Sequence, residues 1–193
     1  RSGSARAPVF RSLSATRSNE VREATWAEMD LDANTWTIPA ERMKADREHV
    51  VPLAPKAVSL LKALPRFAGT ALVFPGAKRK ELSDATLAKA IKLMDANDVD
   101  AGGKGYKDPK QNNRVAVPHG FRSTFRDWCS ERTAYPRDVA EMALAHAIAD
   151  KTEAAYRRGD LFTKRTKMMN DWARFIDAKP AAGNVVQIRR AKK

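Results

Sequence analysis

Pro118-His-Gly-Phe-Arg-Ser-Thr-Phe-Arg-Asp-Trp128 is the stretch on which the reading of this 193-residue chain turns. Phe121, Phe125 and Trp128 recur at the three- and four-residue spacing of an amphipathic helix, so one face of the segment is expected to enter a core. His119 and Arg122 stand three residues apart and share a helix face. A titratable ring and a guanidinium are therefore expected to converge on one ligand from the first turn of that helix. Arg126, four residues after Arg122, reads as a solvated or structural arginine. Cys129, the single cysteine, falls in the same apolar pattern and reads as a small core residue. With one cysteine no intrachain disulfide can form.

Downstream, helical patterns cover 119–132, 137–145, 151–158 and 163–177. His146 closes the second. Tyr156 lies midway along the third, in Lys151-Thr-Glu-Ala-Ala-Tyr-Arg-Arg158. Taken alone, a tyrosine there is a half-buried packing residue. Periodicity stops near Pro180, and 179–193 reads as a basic, disordered tail.

Upstream, the pattern changes. Residues 97–118 are polar and Gly-rich, the composition of a long mobile loop. Residues 83–96 and 55–64 read as helices, one capped by Ser83 and the other opening on a proline. Residues 35–38 and 48–52 read as short strands around a loop holding Met43-Lys-Ala-Asp46, with 71–74 as a third strand. Asp32-Ala-Asn34 is a turn signal. Residues 18–29 read as a helix capped by Ser18 or Thr16, and Val9, Phe10 and Leu13 as the end of a helix cut short by the start of the chain. Trp26, Trp36 and Trp172 are expected in the core, and His49 is expected to be structural. The fold class is mainly α with a small antiparallel β-sheet.

Charge points to a class of partner. Lys and Arg total 36 against 23 Asp and Glu, a net charge of +13, and an excess that large favours a polyanion such as nucleic acid. The excess is uneven: eleven basic and three acidic residues follow Tyr156. In the 97–118 loop, Lys104, Lys107, Lys110 and Arg114 read equally as backbone-phosphate contacts and as solvated charges. Arg157 and Arg158 join them as candidate DNA contacts. No apolar run approaches the roughly 18 residues of a membrane span, and no membrane partner is expected.

Arg17 sits at the mouth of a predicted helix, where an arginine can meet a phosphate bidentately, although in isolation it reads more simply as a salt-bridged surface residue. What changes the reading is order. Arg-Ser-Asn-Glu-Val-Arg-Glu-Ala-Thr-Trp26, Ile-Pro-Ala-Glu-Arg-Met-Lys44, Arg-Glu-His-Val-Val-Pro-Leu53, His-Gly-Phe-Arg-Ser-Thr-Phe-Arg-Asp-Trp128 and Lys-Thr-Glu-Ala-Ala-Tyr-Arg-Arg-Gly-Asp160 follow one another as such stretches do in one family. The chain resembles the catalytic domain of tyrosine recombinases, in the prophage and genomic-island integrase branch. The resemblance implies the fold of the DNA breaking-rejoining enzymes over 1–178, with the usual arm-binding and core-binding domains absent from this chain.

It also implies roles. Arg17 and Arg122 match the two catalytic arginines, Lys44 the catalytic lysine, His119 the first residue of the His-x-x-Arg box, His146 the second histidine and Tyr156 the nucleophile. Two guanidiniums on the non-bridging oxygens neutralise the charge of a phosphoryl transition state. No metal or other cofactor is then expected, because the guanidiniums take the role a metal would have. A phenol with an ordinary pKa near 10 is a weak nucleophile at neutral pH, so Tyr156 needs that cationic field and a proton acceptor, for which His119 is the candidate. By resemblance Lys44 protonates the leaving oxygen. The implied partner is double-stranded DNA at attachment sites. The chain is expected to assemble as a homo-tetramer on DNA, to be monomeric when free, and to work in the bacterial or phage-infected cytoplasm. Two alternatives stay open: a type IB topoisomerase-like enzyme, and a non-catalytic or weakly active DNA-binding module that retains the fold.

Overall fold

Helix α1 (Gly3–Ser14) threads the first of two cores. Ala7, Phe10 and Leu13, at helical spacing, are buried, and the Phe10 ring packs 5.4 Å from Trp36 and 5.3 Å from Phe74. The computed structural model describes residues 3–108, 111–146 and 159–178, and elements are numbered among these. Around α1 lie α2 (Ser18–Arg22), a sheet of β1 (Met29–Asp30), β2 (Thr35–Ile38) and β3 (His49–Pro52), then α3 (Pro55–Lys62) and α4 (Asp84–Asp100). The sheet is antiparallel in the order β1-β2-β3, with Trp36 opposite Val51. A second pair, β4 (Lys107–Asp108) and β5 (Arg114–Val115), leads to α5 (Gly120–Arg132), α6 (Arg137–Ala143) and α7 (Phe162–Asp177).

The expected fold class holds, with local differences that have identifiable causes. The predicted helix over 18–29 ends at Arg22, because the backbone beyond it bonds to residues 71–73 instead. The Val73 N–H donates to Ala24 O at 2.8 Å and the Trp26 N–H to Ala71 O at 2.9 Å. Residues 71–74 therefore pair with this segment through a single bridge, Thr25 to Leu72, and the third strand of the sheet is β1. The turn at 32–34 forms as read, with Asp30 Oδ1 accepting the N–H groups of Asp32 and Ala33 and Asn34 at φ 57°, as Asx turns allow.

The described residues of 97–118 carry more structure than the composition suggests. The first of them complete α4, and two α4 carboxylates bond the turn that follows. Asp98 accepts the Gly105 N–H at 2.9 Å and Asp95 the Tyr106 N–H at 2.6 Å. At Gly105 the backbone is left-handed, φ 70°, and a Cβ there would fall 2.4 Å from the Asp95 carboxylate, so the loop needs glycine at this point.

The second core joins Phe125, Trp128 and Cys129 of α5 with Val139 and Ala140 of α6 and Met168, Met169 and Trp172 of α7. Phe125 meets Trp172 edge-on at 5.3 Å. Trp36 and Trp172 are buried as expected, whereas Trp26 only packs against the core from its edge. Helix α7 is the seam. Trp172 belongs to the second core and Ala173 to the first, and the Trp172 indole donates to Ser12 O at 2.7 Å. Arg165, 2% exposed, donates to Val50 O on β3 and to the carbonyl and carboxylate of Asp160, each at 2.7 Å.

Candidate active site

The site forms where the two cores meet, at the ends of α1 and α6. Both helices stop on an alanine in the left-handed region, Ala15 at φ 54° and Ala145 at φ 48°, and their terminal carbonyls point into the junction. Unpaired carbonyls at helix C-termini carry partial negative charge and attract cations. Arg122, on the first turn of α5, answers both ends. It donates from Nη1 to Ala15 O at 2.6 Å and from Nη2 to Leu144 O at 2.7 Å. The same Nη2 lies 3.2 Å from His146 Nε2. Arg17, at the N-cap position of α2, donates to Ala145 O at 3.3 Å and pairs with Glu20 at 2.8 Å.

Glu20 is buried at 2% exposure. Its second oxygen accepts the Arg17 backbone N–H at 2.6 Å. A third guanidinium, that of Arg11, is also buried and donates to Pro118 O, so it fixes the residue before His119. Burial, and then the charge of Arg17, lower the pKa of Arg122 to about 10 against the pull of Glu20. Burial does the same to Arg11, again to about 10. Three guanidiniums share one buried carboxylate, which leaves uncompensated positive charge where a bound anion would be welcome.

His146 follows directly on α6. Its Nδ1 lies 2.6 Å from Glu141 Oε2, and the other Glu141 oxygen accepts from Arg126 Nε at 2.7 Å. Partial burial would raise the Glu141 carboxyl, but the hydrogen bonds from His146 and Arg126 outweigh it and hold the group below its usual range.

Of the residues singled out from the sequence, the structure gathers Arg17, Arg122 and His146. His119 occupies the N-cap position of α5 and is exposed; its carbonyl accepts the Arg122 N–H at 3.2 Å. Lys44 is exposed in the turn between β2 and β3. Neither side chain is hydrogen-bonded to the arginine–histidine group among the described residues. Lys104, Lys107 and Arg114 are exposed, the last two on the β4–β5 hairpin. Tyr156, Lys110, Arg157 and Arg158 lie outside the described residues.

Sequence reasoning passed over Arg11 and Glu141. Arg11 falls on the buried face of α1, between Ala7 and Ser14, and a charge at such a position is a signal in itself. Arg126, read as solvated or structural, is an ion-pair partner. His49 is structural in a specific sense. Burial, and then the charge of Arg165, push its pKa down to about 4 from the usual 6.5. The folded state thus resists protonating a ring that the unfolded chain protonates near 6.5. The stability His49 confers is complete above pH 6.5 and is lost as pH falls through about 4. His49→Gln is expected to flatten the fall in melting temperature across that window, and identical pH–Tm curves for variant and wild type would refute the assignment.

Residues 10–160 match the Phage integrase family. Prophage integrase IntA of Escherichia coli K12 is 33% identical over 187 residues, covering 95% of this chain and 41% of the relative. The integrase of Enterobacteria phage P4 is 33% identical over 181 residues, covering 86% of this chain and 38% of the relative. The chain thus spans about two fifths of the length of these relatives. Among solved structures, the integrase from mycobacterium phage Brujita superposes with a TM-score of 0.62 at 19% identity, over 88% of this chain and 52% of that one. XerA recombinase superposes at 0.57 and 15% identity, over 92% of this chain and 58% of its own. With the family's pattern running from α1 to the segment before α7, the chain belongs to the phage integrase family.

Proposed function

We propose that the chain is the catalytic domain of a site-specific DNA recombinase that cuts and rejoins strands through a covalent 3′-phosphotyrosine. The observation that carries this reading is the convergence of Arg122, Arg17 and His146 on the junction between α1 and α6. The two guanidiniums take the non-bridging oxygens of the scissile phosphodiester, and His146 adds a ring nitrogen beside them. Tyr156 Oη attacks phosphorus and forms the new P–O bond as the bond to the 5′ oxygen breaks. Its phenolic proton passes to His119. Lys44, on the β2–β3 turn, supplies a proton to the departing 5′ oxygen. A 5′ hydroxyl from a partner strand then displaces Tyr156, so the bond energy is conserved and no nucleotide cofactor is consumed.

A solved structure of the same fold is that of XerH site-specific recombinase bound to difH substrate, and double-stranded DNA is the partner proposed for this chain. The exposed Lys104, Lys107 and Arg114 are proposed backbone contacts. Assembly as a tetramer on DNA belongs to the same proposal, as does the assignment of residues 1–178 to one catalytic domain.

A nicked suicide duplex carrying the junction of the element that encodes the chain provides the test. Cleavage on it releases a short strand and leaves the protein attached, as a band of retarded mobility on a denaturing gel. Binding that weakens steeply with salt but never yields an adduct would instead assign the chain to a DNA-binding module. Relaxation of supercoils without joining of two duplexes would assign it to topoisomerase-like chemistry.

A further inference from the structure

Resting on that reading, we propose that Glu141, braced by Arg126, is the positioning residue for His146. It fixes the ring in the tautomer that keeps its proton on Nδ1 and aims Nε2 at the phosphate site.

His146 needs such a device. It lies just past the end of a seven-residue helix, its side chain is 42% exposed, and its backbone N–H is satisfied locally by Glu141 O at 3.0 Å. Nothing in that placement sets χ1 or χ2, or decides which ring nitrogen faces the arginines. The two contacts to the ring do. Nδ1 lies 2.6 Å from Glu141 Oε2 and Nε2 lies 3.2 Å from Arg122 Nη2. A guanidinium only donates, so Nε2 must accept from Arg122, and the single proton of the neutral ring then sits on Nδ1, donated to the carboxylate. The tautomer follows from the partners.

The carboxylate is itself over-determined. Its second oxygen takes Arg126 Nε at 2.7 Å, with Arg137 Nε farther out at 3.8 Å. Arg126 and Arg122 stand four apart on α5 and share a face. One helix face therefore reaches both ring nitrogens of His146, directly through Arg122 and by way of Glu141 through Arg126. The bland alternative is a surface ion pair with no consequence beyond a small gain in stability. It leaves unexplained why the carboxylate spends one oxygen on each partner and why both arginines come from the phosphate-binding helix.

The arrangement also makes Nε2 usable in two ways. In the free protein it accepts from Arg122. When a phosphate oxygen draws that guanidinium, a ring carrying a second proton can donate from Nε2 to the same phosphate. In both cases Nδ1–H stays on Glu141, whose negative charge compensates the cationic ring.

The test pairs a spectroscopic reading with a kinetic one. The chain has three histidines, so ring nitrogen shifts in the ¹⁵N-histidine-labelled protein can be assigned with His49→Gln and His119→Gln. Wild type is expected to show His146 as the Nδ1–H tautomer. Glu141→Gln, whose amide oxygen still accepts from Nδ1–H, is expected to keep that tautomer and most of the adduct-forming rate on the suicide duplex. Glu141→Ala is expected to lose the tautomer and to slow adduct formation by about 10- to 100-fold, the range seen when a carboxylate that orients a metal-bound histidine is removed. A Glu141→Ala protein with the wild-type tautomer, or with the wild-type rate, overturns the proposal. A rate loss of equal size in Glu141→Gln with an unchanged tautomer overturns it too. If the wild type forms no adduct, the recombinase reading fails alone, and the tautomer still decides whether Glu141 holds the ring.

Discussion

Tyr156→Phe is expected to form no covalent adduct on the suicide duplex while binding the same DNA as wild type does. Removing a covalent nucleophile costs on the order of 10⁶-fold in rate, which takes the product below detection. Affinity should survive, because the hydroxyl contributes no charge to the salt-dependent contacts that dominate DNA binding. The chain contains three tyrosines, so the substitution also discriminates among them. Tyr135 is a poor substitute nucleophile. Its hydroxyl donates to Asp171 at 2.6 Å, and burial, then that hydrogen bond and the adjacent carboxylate charge, hold its phenol above the ordinary value. Tyr106 is 45% exposed near the β4–β5 hairpin. Tyr106→Phe and Tyr135→Phe should both retain adduct formation. Equal adduct from wild type and Tyr156→Phe would remove Tyr156 from the mechanism.

Arg122→Ala is expected to fail twice over. Loss of a transition-state donor of this kind costs about 10²–10³ in rate. It also leaves Ala15 O and Leu144 O without their donor, and a buried polar group left unpaired costs about 1–3 kcal/mol. Urea unfolding should therefore show a clear drop in midpoint alongside the lost cleavage. Arg17→Ala gives a comparison. Arg17 is 27% exposed, makes one longer bond, 3.3 Å, to Ala145 O and pairs at 2.8 Å with the buried Glu20. That variant should lose rate on a similar scale, and any stability it loses should come from the buried carboxylate left without its partner rather than from the helix ends. An Arg122→Ala protein that unfolds at the wild-type midpoint would show that the carbonyl contacts do not hold the two helix ends together.

Periodic segments were legible in the sequence because each buries one face. Phe125 and Trp128 announced α5, whereas Phe121, expected on the same buried face, is only half-buried and belongs to neither core; the alternation around Trp36 announced β2. The errors arose where the backbone had a distant partner. Nothing local tells Ala24 that Val73 will donate to its carbonyl, so the predicted helix over 18–29 ran on past its true end. The β4–β5 pairing was hidden for a similar reason, since the turn that leads into it is bonded by Asp95 and Asp98 of α4. The site divides the same way. Arg17, Arg122 and His146 could be named from motif order. Arg11 and Glu141 act through burial and through bonds to other elements, which spacing does not encode, whereas Glu20 pairs with Arg17 three residues away and only its burial was hidden. The partners of Arg126 became visible only once α6 was in place beside α5.

The double duty proposed for Arg122 bears on how members of such a family lose activity over time. A residue that would both handle the phosphate and tie two helix ends cannot be discarded cheaply, because its loss threatens the fold before the activity is missed. Drift in a domain released from selection for strand exchange would then erase this arginine late. In a survey of degenerate elements, an arginine kept at this position would mark descent and an intact fold, and would not by itself mark a copy that still cuts.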